Sequence, residues 1–171
     1  MAGFHLSWTH PKLAKHRFGG ARGTGVIALA PIRRGELLSR FGGYVMTFEE
    51  FLRLPPALQE IPYQIADDLL FGPISRQGLT VSEYYNHSCD PNAGFRDSMT
   101  LVAMRTIRPG EEVAFDYCMC VSTCLFDFNC SCGTPACRKR VRGDDWKNQA
   151  LQASYQGYFV PYLQDKIARL K

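Results

Sequence analysis

The sequence predicts a mainly β fold, and three observations carry that reading. Short runs of β-forming residues are divided by glycine, proline and asparagine turns. Helical signals are confined to one short middle segment and the C-terminal stretch, and strands do not alternate with long helices as a βαβ sheet requires. With 171 residues, 46% apolar and 21% charged, the chain has the size and balance of one globular unit with a sizeable core.

After a polar, His-containing lead-in over 1–14, the run RGTGVIALAPIRRGELLSRFGGYV reads as hairpin-forming strands. Thr47 begins TFEE, the capping-box pattern, so a helix of about two turns is expected there, stopped by Pro55 and Pro56. Strands are expected again at Tyr63 to Ile65 and Leu69 to Phe71, followed by the polar loop SEYYNHSCDPN. MTLVAMRTI, the turn RPGE and EVAFDY form another strand pair. Beyond Gly143, Asp144 or Asp145 is placed to cap a helix near Trp146, Gly157 breaks it, and Pro161 opens a second. There Leu163, Ile167 and Leu170 share a face suited to packing on the β body.

The net charge of +4 is mild and its cations are scattered, apart from Arg138, Lys139, Arg140 and Arg142. Direct nucleic-acid binding is therefore not expected. The N-terminal stretch lacks the apolar core of a signal peptide and no apolar run approaches membrane-spanning length, so the chain reads as intracellular, cytoplasmic or nuclear. Seven cysteines, six of them between Cys118 and Cys137, point to metal ligation instead of a disulfide framework.

CSCGTPAC supplies Cys130, Cys132 and Cys137, one ligand short of the four that structural zinc requires. Cys89, Cys118, Cys120 and Cys124 are all candidates for the fourth, and spacing does not choose among them. The glycines of RGTG would let backbone amides approach a small molecule, although a plain hairpin turn uses the same residues. In NHSCDPN, Asn86 offers the donor and acceptor that match an adenine edge, yet an Asx turn would also need it. His87 suits a packing role at least as well as a general base. Tyr117 ends a strand, and its phenol titrates near 10, a poor base but a good orienting partner.

RGTG, FGG, NHSCDPN, GEEVAFDY and CSCGTPAC, in that order, resemble a SET domain of the protein-lysine methyltransferase type followed by a post-SET zinc motif. The resemblance covers residues 15–142. It implies a β-clip fold with a knot-like active-site crossing, divided into a SET domain over 15–118, a post-SET segment over 119–142 and a helical tail over 143–171. It implies S-adenosylmethionine along Arg22, Gly23, Thr24 and Gly25, with Asn86, His87 and Val141 at its adenine end. Tyr117 matches the catalytic tyrosine, and Cys89 becomes the fourth ligand of one structural Zn2+ with Cys130, Cys132 and Cys137.

Phe41, Tyr44 and Phe115 would line the lysine channel. Phe115 stands where the family has Phe or Tyr, and Phe leaves room for di- or trimethylation. Phe41 replaces a frequent tyrosine, so a channel hydroxyl is either missing or supplied by Tyr44 or Tyr63. Substrate choice would rest on Phe48 to Gln77 and the tail, and the substrate would be a lysine-bearing protein, a histone or another basic protein. The rival readings are a SET-shaped binding module without turnover and a zinc-ribbon nucleic-acid binder.

Overall fold

The computed structural model describes residues 7–123 and 126–170. Along the chain run β1 (Trp8–Thr9), β2 (Leu13–Arg17), β3 (Thr24–Ala28), β4 (Leu37–Arg40) and β5 (Tyr44–Thr47). Then come α1 (Phe48–Leu52), α2 (Pro56–Gln59), β6 (Tyr63–Gln64), β7 (Leu69–Gly72) and β8 (Asn86–His87). The second half holds β9 (Ala93–Phe95), β10 (Thr100–Ala103), β11 (Glu112–Phe115), β12 (Asp127–Asn129), β13 (Arg140–Arg142), α3 (Gln149–Ser154) and α4 (Pro161–Ala168).

The main sheet has the order β1-β4-β10-β9-β11-β3-β2, with β8 added beside β11. Its pairings are antiparallel except where β11 runs parallel to β8 and β9. Two smaller units flank it, the sheet β5-β7-β6 and the hairpin β12-β13. This is the mainly β architecture that the turn-punctuated strands predict. The core lies where inward residues meet: Val26, Leu38, Phe95, Leu101 and Val113 are fully buried, and Ile32 and Ile107 bridge the loops before β4 and β11.

Local chemistry explains most of the elements. Thr47 accepts from the Glu50 N–H while the Glu50 carboxylate accepts from the Thr47 N–H, a complete capping box at α1. Pro56 does not merely stop that helix, because it sits in the first turn of α2, where a missing N–H costs nothing. The tail packs on the β body through Tyr155, Phe159, Val160 and Leu163, whereas Leu170 is 58% exposed.

Three expectations change. The strands on either side of RPGE do not pair with each other: β9 lies between them, with β10 on one side and β11 on the other. Neither Asp144 nor Asp145 caps α3: a 3-10 turn over Asp145–Lys147 intervenes, and the Asn148 side chain accepts from the Ala150 N–H instead. The expected boundary at residue 15 falls inside β2, and β1 already pairs with β4, so the end of the lead-in belongs to the sheet.

Candidate active site

β8 and β11 are short strands lying parallel, with Asn86 opposite Ala114 and His87 opposite Phe115. This register brings Asn86 and Tyr117 to one end of the sheet from positions remote in sequence. The Asn86 amide donates to the Arg22 carbonyl at 3.1 Å and to Glu112 Oε1 at 2.9 Å, and Arg22 pairs with Glu112. Gly25 makes room for this arrangement. A Cβ there would stand 2.5 Å from Asn86 Nδ2, 2.8 Å from the Phe18 ring and 2.9 Å from Glu112 Oε1.

Two cavities open beside this junction. One, of about 410 Å³, is polar, with Arg22, His87, Ser88, Asn92 and Thr134 on its walls. The other, of about 630 Å³, is rich in aromatic rings, with Phe41, Tyr63, Tyr84, Tyr85 and Phe115 on its walls beside the charged Glu60, Arg76 and Glu83. Asn86, Tyr117 and Phe128 line both, so these three residues form the shared wall. Thr24 faces the aromatic cavity and Arg22 the polar one, whereas Gly23 and Gly25 line neither.

Tyr117 is clasped by rings: Phe115 at 5.1 Å between centroids, His87 at 5.3 Å and Phe126 at 5.9 Å. Its hydroxyl donates to the Tyr85 carbonyl at 2.9 Å. Burial pushes the phenol above its ordinary range, so it remains a protonated donor at neutral pH. The His87 ring accepts from the Tyr117 N–H at Nδ1, 3.3 Å away, which leaves its proton on Nε2, 3.2 Å from the Cys89 sulfur. Burial, aided by the charge of Arg138 and opposed by Asp116, pushes His87 down to about 4, so the ring is neutral near pH 7.

Of the expected channel residues, Phe41 and Phe115 line the aromatic cavity and Tyr44 does not. Tyr44 lies in β5, where it pairs with Gly72 of β7. Tyr63 and Tyr85 stand beside Phe41, with ring centroids 5.4 Å and 6.2 Å from it, and the Tyr63 hydroxyl donates to the Ser98 carbonyl at 2.8 Å. Val141 lies in the cap hairpin. It is fully buried in the cap among Cys89 and Cys130, and neither cavity reaches it.

The sulfurs of Cys89, Cys130, Cys132 and Cys137 all lie within 4.8 Å of one another. The Cys89 and Cys130 sulfurs are 3.8 Å apart. Four thiolates about 2.3 Å from a tetrahedral zinc would be spaced about 3.8 Å from each other, so the donor set and its geometry fit that ion. Burial pushes the Cys89 thiol up to about 11; burial also raises Cys132, but hydrogen bonds involving Thr134 and its cysteine neighbours outweigh this and bring it down to about 6. Cys118 and Cys120 turn into the main core instead, each 1% exposed, and Cys124 lies outside the described residues.

Sequence reasoning missed Phe126 and Phe128, which carry the cap's aromatic face onto Tyr117. Their spacing of two in FDFN was the available signal, since alternate strand residues share a face. Of the basic cluster, Arg138 pairs with Asp116 and Asp145, and Arg140 pairs with Asp127 through two hydrogen bonds. Those two cations are engaged within the protein.

A profile of the SET domain matches residues 23–118. Among curated proteins, the chain is 32% identical over 151 residues to the histone-lysine N-methyltransferase SUV39H2 of Gallus gallus, covering 78% of this chain and 37% of that protein. It is 28% identical over 142 residues to the histone-lysine N-methyltransferase ash1 of Drosophila melanogaster, covering 77% of this chain and 6% of that one. Among solved structures, the crystal structure of KRYPTONITE in complex with mCHG DNA and SAH superposes with a TM-score of 0.57 at 22% identity, over 75% of this chain and 28% of that one. The chain thus spans well under half the length of each. A matched profile over most of the main sheet, the fold it superposes on, and the NHSC segment laid beside the strand that leads into Tyr117 together place this chain in the SET-domain family.

Proposed function

We propose that this protein transfers methyl groups from S-adenosylmethionine to a lysine side chain of a protein substrate. The observation that carries the reading is the meeting of a polar and an aromatic cavity at Asn86, Tyr117 and Phe128. A methyl donor with a polar nucleoside suits the first, and the aliphatic stem of a lysine suits a ring-lined second. The curated relatives are histone-lysine N-methyltransferases, and the SAH in the KRYPTONITE crystal is the demethylated form of the same donor.

Arg22, Asn86 and His87 are the residues of the polar cavity that would hold the donor, which supplies an electrophilic methyl group on a sulfonium. A lysine ammonium titrates near 10.4 and must lose its proton before its nitrogen can attack. The rings of Phe41, Tyr63, Phe115 and Tyr117 favour the neutral amine by desolvation. Tyr117, held protonated, orients the nitrogen and does not take its proton, which leaves to water. Phe115 adds no hydroxyl to crowd the nitrogen, which supports di- or trimethylation. One Zn2+ on Cys89, Cys130, Cys132 and Cys137 would hold Phe126 and Phe128 over Tyr117.

The substrate we propose is a histone or another basic lysine-bearing protein, read by the segment from Phe48 to Gln77 and the tail. Among the described residues no helix is long and apolar enough to cross a membrane. The free cysteines suit a reducing, intracellular compartment. The test is transfer of radiolabelled methyl from S-adenosylmethionine to histones and to cell extract, with Tyr117→Phe as control. Label on lysine that falls about 10²-fold or more in the variant is expected. Tight donor binding without transfer to any substrate would establish the binding-module reading instead.

A further inference from the structure

Asp116 directly precedes Tyr117 and is fully buried. Arg138 grips its carboxylate with both terminal nitrogens, Nη1 to Oδ2 at 2.5 Å and Nη2 to Oδ1 at 2.9 Å. The Cys118 N–H donates to Oδ1 at 3.1 Å and the Tyr155 hydroxyl to Oδ2 at 3.2 Å. Arg138 also follows directly on Cys137, and its backbone N–H donates to the Cys89 sulfur at 3.4 Å. Its Nε donates to Asp145 at 3.0 Å, at the root of the tail.

One residue therefore touches the cysteine cluster with its backbone and the neighbour of Tyr117 with its side chain. Exposed ion pairs do little, but here the Arg138 and Asp116 side chains are 17% and 0% exposed, and the two-pronged geometry fixes direction as well as distance. An opened cap would carry Arg138 away with Cys137 and leave a buried carboxylate beside Tyr117 without its counter-ion, held by the Cys118 N–H and the Tyr155 hydroxyl.

We infer that Arg138 is a positioning residue that makes the placement of Tyr117 conditional on closure of the four-cysteine cap. Its catalytic consequence rests on the methyl-transfer reading; its structural consequence does not. The experiment uses the full chain loaded with Zn2+ and carrying 3-fluorotyrosine at position 117, compared with Arg138→Gln, Arg138→Lys and the hairpin control Arg140→Gln. With one zinc per chain verified by metal analysis, both Arg138 variants are expected to shift or broaden the Tyr117 fluorine resonance, and Arg140→Gln to leave it in place. In the unlabelled proteins, kcat should fall tenfold or more in Arg138→Gln, with the KM values for donor and peptide within about threefold. Adding Tyr117→Phe to Arg138→Gln should cost little beyond Tyr117→Phe alone, because the two act through one group.

Arg138→Lys keeps a charge against Asp116 and guards against misfolding of the glutamine variant, yet it loses the fork. A native Tyr117 resonance in zinc-loaded Arg138 variants overturns the inference, as does failure of both to hold zinc, which would make Arg138 a cap residue only. Should the wild-type protein transfer no methyl group, the fluorine spectra still decide the inference, and only the proposed activity falls.

Discussion

Gly25→Ala probes how tightly the β3 backbone and the Asn86 side chain are fitted together. Gly25 has no positive φ, so alanine adds no backbone strain and the effect is one of space. The new Cβ would lie 2.5 Å from Asn86 Nδ2 where ordinary contacts begin at 3.4 Å, so the amide has to retreat by about 0.9 Å. Its hydrogen bonds at 3.1 Å to Arg22 and 2.9 Å to Glu112 are stretched and misaligned by a movement of that size. Overpacking costs about 1–3 kcal/mol, and each hydrogen bond contributes about 1 kcal/mol. Stability in denaturant should therefore drop by about 2 kcal/mol or more, and calorimetry should find binding of S-adenosylmethionine or SAH weakened at least tenfold, about 1.4 kcal/mol. Asn86→Ala removes the closest obstruction, so Gly25→Ala should cost less affinity in that background than in the wild type. Strictly additive losses, or native affinity in Gly25→Ala, would refute the argument.

Phe115→Tyr should shift the products towards monomethyl-lysine in mass spectrometry; undiminished trimethylation would count against Phe115 as the residue that leaves room. Chelation of zinc, or Cys132→Ser, should abolish hydrogen-exchange protection of the Cys130 N–H, which donates to the Lys139 carbonyl at 2.7 Å, while Val113 in the main sheet keeps its protection. Equal protection in both states would mean that the cap folds without metal. Asn148→Ala should cost about 1 kcal/mol in thermal denaturation as a lost helix cap. Asp144→Ala, whose side chain caps nothing, should cost less than half of that.

What could be read from the chain was local. TFEE states its own helix start because the cap and its reciprocal partner are three residues apart, and the strands before and after RPGE show themselves by β-forming runs around a turn. The fourth cysteine was different in kind. Cys118 and Cys120 are nearer in sequence to Cys130 than Cys89 is, yet the 3-10 turn after Tyr117 points them into the core, while β8 delivers Cys89 to the cap. Spacing holds no record of that, because it depends on which strands pair. The tail cap was misplaced for a smaller reason. Two aspartates offered themselves early, but the intervening turn moved the helix start to Asn148. Val141 was assigned to the donor by its place after the last cysteine, and only packing reveals that its side chain points into the cap.

The same dependence on pairing explains how so short a contact as β8 on β11 can define a site. In strands this short, a slip of one residue would turn every side chain to the other face and put His87 where Asn86 stands. Two ladder positions alone would hold the register weakly. Asn92 reinforces them: its Oδ1 accepts from the Ala114 N–H at 3.0 Å and its Nδ2 donates to the Glu112 carbonyl at 2.7 Å, copying a strand's hydrogen bonds with a side chain. The Ser88 N–H adds a bond to the Phe115 carbonyl at 3.1 Å. NHSCDPN is therefore more than a set of ligand contacts. Asn86 lines the polar cavity, Cys89 joins the cap, and Asn92 fastens the segment to the strand that leads into Tyr117, so one loop ties the polar cavity, the cap and the aromatic cavity to a single register.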